Sequence, residues 1–531
     1  MSAIDPLLNK GTAFTQEERV RFRLEGLLPP RVETLDAQVA RVMRAVRLAP
    51  TPLERYRLLS AVQAENETLF YRAIVDHLAE LLPIVYTPTV GEACLQWSRI
   101  FERPRGLYLS AVRHRGRVAE VLRHWPRSRG DLIVMTDGGR ILGLGDLGID
   151  GMGIPIGKLA LYTACAGVPP DVCVPIALDV GTDNASLHDD PFYLGERAGR
   201  LRGSAYDDFL EEVVAAIQTV FPGAVVQFED FSNAAAFALL GRYRQRFCCF
   251  NDDVQGTGAM VLGGLLAAIR LTNVRLADQR ILFVGAGEAC LGAGALVAAA
   301  MQQDGLSDRD ANAQCLFRDS KGLVVSSRSD LSPQKRRVAQ DREEIATLTA
   351  TIQAFKPTVL IGASGQAGLF TRPVVEAMAR LNDRPVIFAL SNPTVKAECT
   401  AVQAYEWSEG RAMFASGSPF EPVVLKGRRH VPGQANNSHV FPGIGLGLLV
   451  SRAQQVTDGM FFAAARTLAA HVTDADLEVG RLFPPAAAMR DVARSVAAAV
   501  AAVAYDEGVA DAPRPSDLDA AIQAFMYHPS Y

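Results

Sequence analysis

The segment ILFVGAGEACLGAG, Ile281 to Gly294, restricts the possible fold of this chain more than any other. An apolar run of strand length ends at Gly285, and Gly287 is small enough to let a pyrophosphate approach the backbone. A helix start follows, whose free N–H groups and positive dipole end suit an anion. Many glycine turns only pack a strand on a helix, so the flanking sequence has to decide. Strand candidates recur at Gln314 to Arg318, Thr358 to Ile361 and Pro385 to Leu390, with helical patterns between them. That alternation is the one expected of a parallel sheet wound with helices on both faces. The turn assigns Gly285, Ala286, Gly287, Glu288 and Ala289 to a dinucleotide. Asp319 ends the next strand, where an acidic residue would bind the ribose hydroxyls of NAD. Ser320-Lys321 follow directly, and Lys335-Arg336-Arg337 soon after. The extra charge of a 2′-phosphate needs such partners, so NADP is preferred and NAD is the alternative. The cations also read as a solvated basic helix start.

A chain of 531 residues is too long for one core and implies about three or four structural units. With 49% hydrophobic residues it is globular, and a formal net charge of −4 excludes a strong field for nucleic acid or an anionic membrane. Neither a signal peptide nor a membrane span is expected, the longest apolar run being Ala259 to Ile269. The eight cysteines form no C-x-x-C pair, which favours buried thiols and a reducing, cytoplasmic location. Helices are expected over Leu35 to Arg47 and Pro52 to Leu82, with Thr51-Pro52 as a start and Pro83 as a stop. Tyr86 to Gly91 reads as a polar loop. Beyond Gly106 the texture is mixed: strands over Leu132 to Thr136, Val172 to Val180 and Ala224 to Phe228, and helices from Gly157 and over Asp207 to Phe221. Asp491 to Tyr505 is an alanine-rich helix.

Two acidic doublets stand out. VVQFEDF places Glu229-Asp230 at the end of an apolar strand, and CCFNDDVQGTG places Asp252-Asp253 between aromatic and glycine segments. Carboxylates there are costly to bury unless compensated, and a divalent cation held by three oxygens would do so. One doublet alone reads more naturally as a helix cap, whereas two separated by about one helix favour a shared site. Lys158 lies in the almost wholly apolar IPIGKLALYTAC. Desolvation disfavours the ammonium form of a lysine, as general-base chemistry near neutrality requires; the alternative is a snorkelling surface lysine. On spacing alone Tyr86 reads as a packed aromatic.

Taken together, these segments resemble the long-type malic enzymes. The similarity is carried by TAFTQEERVRFRLEGLLPP, YTPTVG, RILGLGDLG, GKLALYTACAGV, LDVGTDN, QFEDF, FNDDVQGT, VGAGEA, IFALSNPT, FASGSPF, PGQANNSHVFPG and GRLFPP, all in order along the chain. The resemblance implies oxidation of L-malate with NADP or NAD, decarboxylation to pyruvate, and use of Mg²⁺ or Mn²⁺; oxaloacetate would also be decarboxylated. It implies Glu229, Asp230 and Asp253 as metal ligands, Lys158 as general base, Asp252 beside it setting its charge state, and Tyr86 as general acid. Arg140 would pair with a malate carboxylate, while Asn392, Asn436 and Asn437 would complete the substrate site, Asn392 also touching the cofactor. Ser320, Lys321, Lys335 and Arg336 remain the candidates for the 2′-phosphate.

The fold class so implied is α/β: a Rossmann-type doubly wound nucleotide domain, an α/β substrate domain and a helical N-terminal region. The divisions are 1–105, 106–251, 252–440 and a return to the substrate domain over 441–531. A homodimer or homotetramer is implied as well. Three departures from the family pattern, Cys290, Ala435 and Ala234-Ala235-Ala236, remove no catalytic group. Ala435 stands where glycine would offer backbone freedom. A malolactic enzyme, which keeps NAD bound and releases lactate, is the alternative reading.

Overall fold

The computed structural model describes residues 5–141, 143–272 and 274–531, with Asn233 described by its backbone alone. The chain forms two compact units, one running to Val226 and rejoined by Gln523–Tyr531, the other Gln227–Ile522.

The first unit begins with helices. α1 (Leu35–Leu48) is capped by Thr34, and α2 (Pro52–Glu65) opens on a reciprocal capping box between Thr51 and Glu54. The single helix expected over Pro52 to Leu82 is instead three: α2, α3 (Glu67–Asp76) and α4 (Leu78–Val85). Asn66 makes the first break, because its backbone is extended and its side chain accepts from Leu69 N at 2.9 Å to cap α3. The stop expected at Pro83 comes two residues later, and the loop expected over Tyr86 to Gly91 turns into α5 (Thr89–Leu95). β1 (Leu107–Ser110), β2 (Leu132–Thr136), α6 (Gly153–Ala166) and β3 (Cys173–Asp179) follow. β3 pairs in parallel with both β1 and β2, setting Ile176 opposite Leu107 and Cys173 opposite Leu132. Every residue of β2, β3 and α6 is buried, which explains continuous apolar runs in place of an alternating pattern. α7 (Ser204–Val220) and β4 (Val225–Phe228) lead out of this unit.

The second unit contains α8 (Asn233–Tyr243), β5 (Cys249–Asn251), α9 (Thr257–Ile269), β6 (Ile281–Val284), α10 (Glu288–Gln303), β7 (Cys315–Asp319), β8 (Gly322–Leu323) and α11 (Pro333–Arg337). After these come β9 (Val359–Gly362), β10 (Val386–Ala389), β11 (Met413–Ser416), β12 (Gly433–Gln434), α12 (Phe441–Ser451), α13 (Asp458–Ala470) and α14 (Met489–Asp506). Its sheet has the order β12-β11-β10-β9-β6-β7-β8, parallel except for the β7–β8 hairpin. The order reverses at β6, which lies between β9 and β7, so the carboxyl end of β6 is a topological switch point. On one face Leu282, Leu316, Leu360, Ile387 and Phe414 pack with Val375 and Met378. Elsewhere in the unit Phe283 stacks on Phe317 with ring centroids 4.7 Å apart, each buried ring contributing about 1.5–3 kcal/mol.

Among the described residues, no helix is long and apolar enough to cross a membrane. All eight cysteines are buried and none is disulfide-bonded, and burial pushes the thiols of Cys249 and Cys315 up to about 12, which keeps them unreactive.

Candidate active site

In the first unit the fold brings Tyr86 and Lys158 together. Lys158, on α6, is 1% exposed, and its Nζ lies 5.5 Å from the centre of the Tyr86 ring. Gly157 makes this approach possible, since a Cβ there would lie 3.2 Å from both Val85 O and Tyr86 Cδ2. Tyr86 is therefore a packed aromatic, as its spacing suggests, and also a neighbour of the candidate base. Snorkelling is ruled out by the burial of the whole of α6. Arg140 is half-buried on the turn after β2. That turn is braced from below: Asp137 accepts from Gly139 N at 2.9 Å, from the Tyr206 hydroxyl at 2.7 Å, and pairs with Arg200 at 2.8 Å. Burial and the Asp137 carboxylate push the Tyr206 hydroxyl well above its usual range, so it stays a donor.

In the second unit Glu229, Asp230 and Asp253 converge, their ligand atoms all lying within 4.8 Å of one another. Glu229 and Asp230 follow β4, and Asp253 follows β5, the neighbouring strand. Asp230 has a positive φ of 53°, a conformation Asp tolerates better than most residues, and its N–H donates to Asp253 Oδ2 at 2.8 Å. Gln227 Nε2 holds Glu229 Oε2 at 2.7 Å. Three carboxylates with only oxygen donors suit a hard divalent cation such as Mg²⁺ or Mn²⁺.

Asp252 and Asp253 open a wide helical turn that ends at Gly256, where a Cβ would lie 1.8 Å from Asp252 Oδ1. Asn437 Nδ2 donates to Asp252 Oδ2 at 3.0 Å, to its carbonyl at 3.2 Å and to Thr257 Oγ1 at 3.0 Å. Asn436 turns inward on its own segment, its Oδ1 accepting from Ser438 N at 2.9 Å. Asn392 Oδ1 accepts from Ser418 Oγ at 2.6 Å. Ala435 donates its N–H to Ser416 O at 2.8 Å and is absent from the positive-φ residues, so glycine's freedom is not required there.

The turn after β6 has the form its sequence implies. Gly285 takes φ 122°, and a Cβ would meet Ala363 O at 2.7 Å, so only glycine serves. Gly287 is the residue before α10, while Ala286 and Glu288 are buried and Ala289 is half-buried. Cys290 is buried in the packing beneath the turn. Asp319 ends β7, and its carboxylate is already engaged. Arg328 forks onto it at 2.9 and 3.2 Å, Lys335 reaches it at 2.6 Å, and Lys321 donates its backbone N–H at 2.9 Å. Burial would raise this carboxyl, but the bonds from Arg328 and Lys335 outweigh it and bring it down to about 2. Ser320 and Lys321 are exposed on the β7–β8 turn, Lys321 Nζ pairs with Asp330 at 2.8 Å, and Arg336 is exposed on α11.

Sequence reasoning missed Arg328, Thr257 and Gln227. Thr257 follows the second doublet within a quoted motif and Gln227 precedes the first, so both were within reach. Arg328 lies nine residues past Asp319 and meets it only because the chain reverses through the β7–β8 hairpin.

Residues 63–244 match the family model for the malic enzyme N-terminal domain, and residues 254–505 match that for the malic enzyme NAD binding domain. The chain is 48% identical over 530 residues to the NADP-dependent malic enzyme of Homo sapiens, covering 99% of this chain and 92% of that protein. It is 49% identical to the chloroplastic NADP-dependent malic enzyme of Zea mays, covering 99% and 83% respectively. Among solved structures, the Entamoeba histolytica malic enzyme superposes with a TM-score of 0.60 at 21% identity, over 95% of this chain and 90% of that one.

Proposed function

The chain belongs to the malic enzyme family, and on that premise we propose how its own residues divide the oxidative decarboxylation of L-malate to pyruvate and CO₂. NADP is the preferred oxidant, a reading supported by near-half identity over 99% of the chain to relatives named as NADP-dependent. The observation that carries the residue assignment is the convergence of Glu229, Asp230 and Asp253. Arg140 pairs with a malate carboxylate through its planar fork, and Asn392, Asn436 and Asn437 add neutral hydrogen bonds. Lys158 takes the proton of the C2 hydroxyl. After CO₂ has left, Tyr86 returns a proton to C3. Asp252 is assigned to setting the charge state of Lys158. NADP⁺ held at the Gly285–Ala289 turn would supply the hydride acceptor, and Mg²⁺ or Mn²⁺ held by Glu229, Asp230 and Asp253 would supply Lewis-acid polarisation of the substrate.

A coupled assay tests the reading. Malate with Mn²⁺ and NADP is expected to yield NADPH and pyruvate in equal amounts. Lactate formed without free reduced cofactor would point to the malolactic reaction instead.

Cofactor choice is assigned to the neutralised Asp319. Arg328 and Lys335 cancel its charge, and Lys335 with Ser320 and Lys321 forms the cationic and hydroxyl surface a 2′-phosphate needs. Lys335→Ala is expected to raise KM for NADP about tenfold, roughly 1.4 kcal/mol, and that for NAD less than about twofold. Arg336→Ala is expected to do less, and steady-state kinetics with both cofactors measures each. Equal effects on NADP and NAD would remove Lys335 from 2′-phosphate recognition.

We further propose a homodimer or homotetramer. Val20, Phe22 and Leu27 expose large apolar side chains in the N-terminal region, which supports a covered surface there; light scattering measures the mass. Eight buried cysteines, none in a disulfide, support a reducing compartment such as the cytoplasm.

A further inference from the structure

Glu398, in the second unit, is 0% exposed, and among the described residues no cation pairs with it. A carboxyl group withdrawn from water without a counter-charge is costly to bury unless its oxygens are well hydrogen-bonded, so its position asks for a reason. The fold makes room for it. Gly362, the last residue of β9, lies so close that a Cβ there would come within 2.7 Å of Glu398 Cγ.

Two serines supply its hydrogen bonds. Oε1 accepts from Ser364 N at 2.9 Å, from Ser364 Oγ at 2.8 Å and from Ser391 Oγ at 2.5 Å, and Oε2 accepts from Ser391 N at 3.3 Å. Ser391 Oγ in turn accepts from Gly365 N at 2.9 Å. One side chain therefore ties the turn that leaves β9 to the turn that leaves β10. Both turns border the switch point at the end of β6. Ala363 O faces Gly285, where a Cβ would meet it at 2.7 Å, and Ser391 precedes Asn392, whose Oδ1 is held by Ser418 Oγ.

We propose that Glu398 is a positioning residue for the dinucleotide: through Ser364 and Ser391 it fixes the turns after β9 and β10 beside the Gly285 turn, and so shapes the surface that receives the coenzyme. The inference rests on the reading of Gly285–Ala289 as a dinucleotide turn. In doubly wound sheets the ligand lies outside the carboxyl ends of the strands at a switch point, so the relation between these turns shapes the site. Four donors converge on two acceptor oxygens here. Glutamine would keep the size of the side chain but turn one acceptor into an N–H donor opposed to those of the serines, forcing the two turns apart.

Fluorescence titration of the full-length protein with NADPH, without malate or metal, tests it. The wild type is expected to bind saturably, Glu398→Gln at least about tenfold more weakly, and Ser391→Ala, the milder change should Glu398→Gln compromise folding, severalfold more weakly. The double variant is expected to bind within about twofold of Glu398→Gln, because both substitutions break the same link. Mn²⁺ affinity, read by calorimetry, is expected to change less than about twofold in each, whereas a general loosening of the unit would weaken it as well. A wild type that binds no NADPH overturns the dinucleotide reading and this proposal with it. If the wild type binds, NADPH affinity unchanged in Ser391→Ala or in a folded Glu398→Gln overturns the proposal alone, even where the melting temperature falls. So do fully additive losses in the double variant, or Mn²⁺ affinity lost in step with that for NADPH.

Discussion

Replacing Lys158 with alanine is expected to lower kcat for malate oxidation about 10³-fold while NADP affinity changes less than about twofold. The size follows from the role, because a positioned base is worth about 10²–10⁴ in rate. The selectivity follows from the fold. Lys158 belongs to α6 in the first unit, whereas the nucleotide turn after β6 belongs to the second. Lys158→Arg separates charge from proton transfer. Arginine keeps the cation but does not deprotonate in proteins, so a base at this position predicts nearly the same loss. Stopped-flow NADPH formation reads the first effect and quenching titration with NADP the second. Wild-type turnover in Lys158→Ala, or recovery in Lys158→Arg, would remove Lys158 as the base.

How legible these features were depends on whether they are local in sequence. The β6 turn could be read because a buried parallel strand is a continuous apolar run and Gly285 occupies a conformation closed to other residues. Lys158 stood out because a helix buried on all sides has no polar face on which to hide a cation. The acidic doublets were legible for a related reason: each follows a buried strand, and the two strands are neighbours. The break at Asn66 was hidden, because its neighbours all favour helix and only the cap it makes to Leu69 interrupts them. β12, only two residues long, carried too few for a period to register. Tyr86 was half legible. Its burial follows from local pattern, but its nearness to Lys158 comes from two helices meeting across Gly157, which no spacing within either one encodes.

The carboxylate cluster carries the second large effect. At separations of no more than 4.8 Å and an effective dielectric of about 20, each pair of ionised carboxylates repels by at least about 3.5 kcal/mol. A divalent cation would add an attraction to each carboxylate that outweighs this repulsion, so folding and cation binding are coupled at this site. Asp253→Asn is the cleanest perturbation. The amide oxygen can still accept from Asp230 N, preserving the positive-φ turn, while one charge is lost. Three outcomes are expected together: Mn²⁺ affinity falls at least about tenfold, malate turnover falls by about 10² or more, and the thermal stability of the chelated protein is unchanged or rises. Calorimetry, the coupled assay and melting with and without EDTA measure these separately. A purely structural role for Asp253 predicts the opposite sign for the third, because losing a useful carboxylate would lower the melting temperature in EDTA. Unaltered Mn²⁺ affinity in Asp253→Asn would exclude this residue as a ligand, and a wild-type protein fully active after exhaustive chelation would exclude the metal.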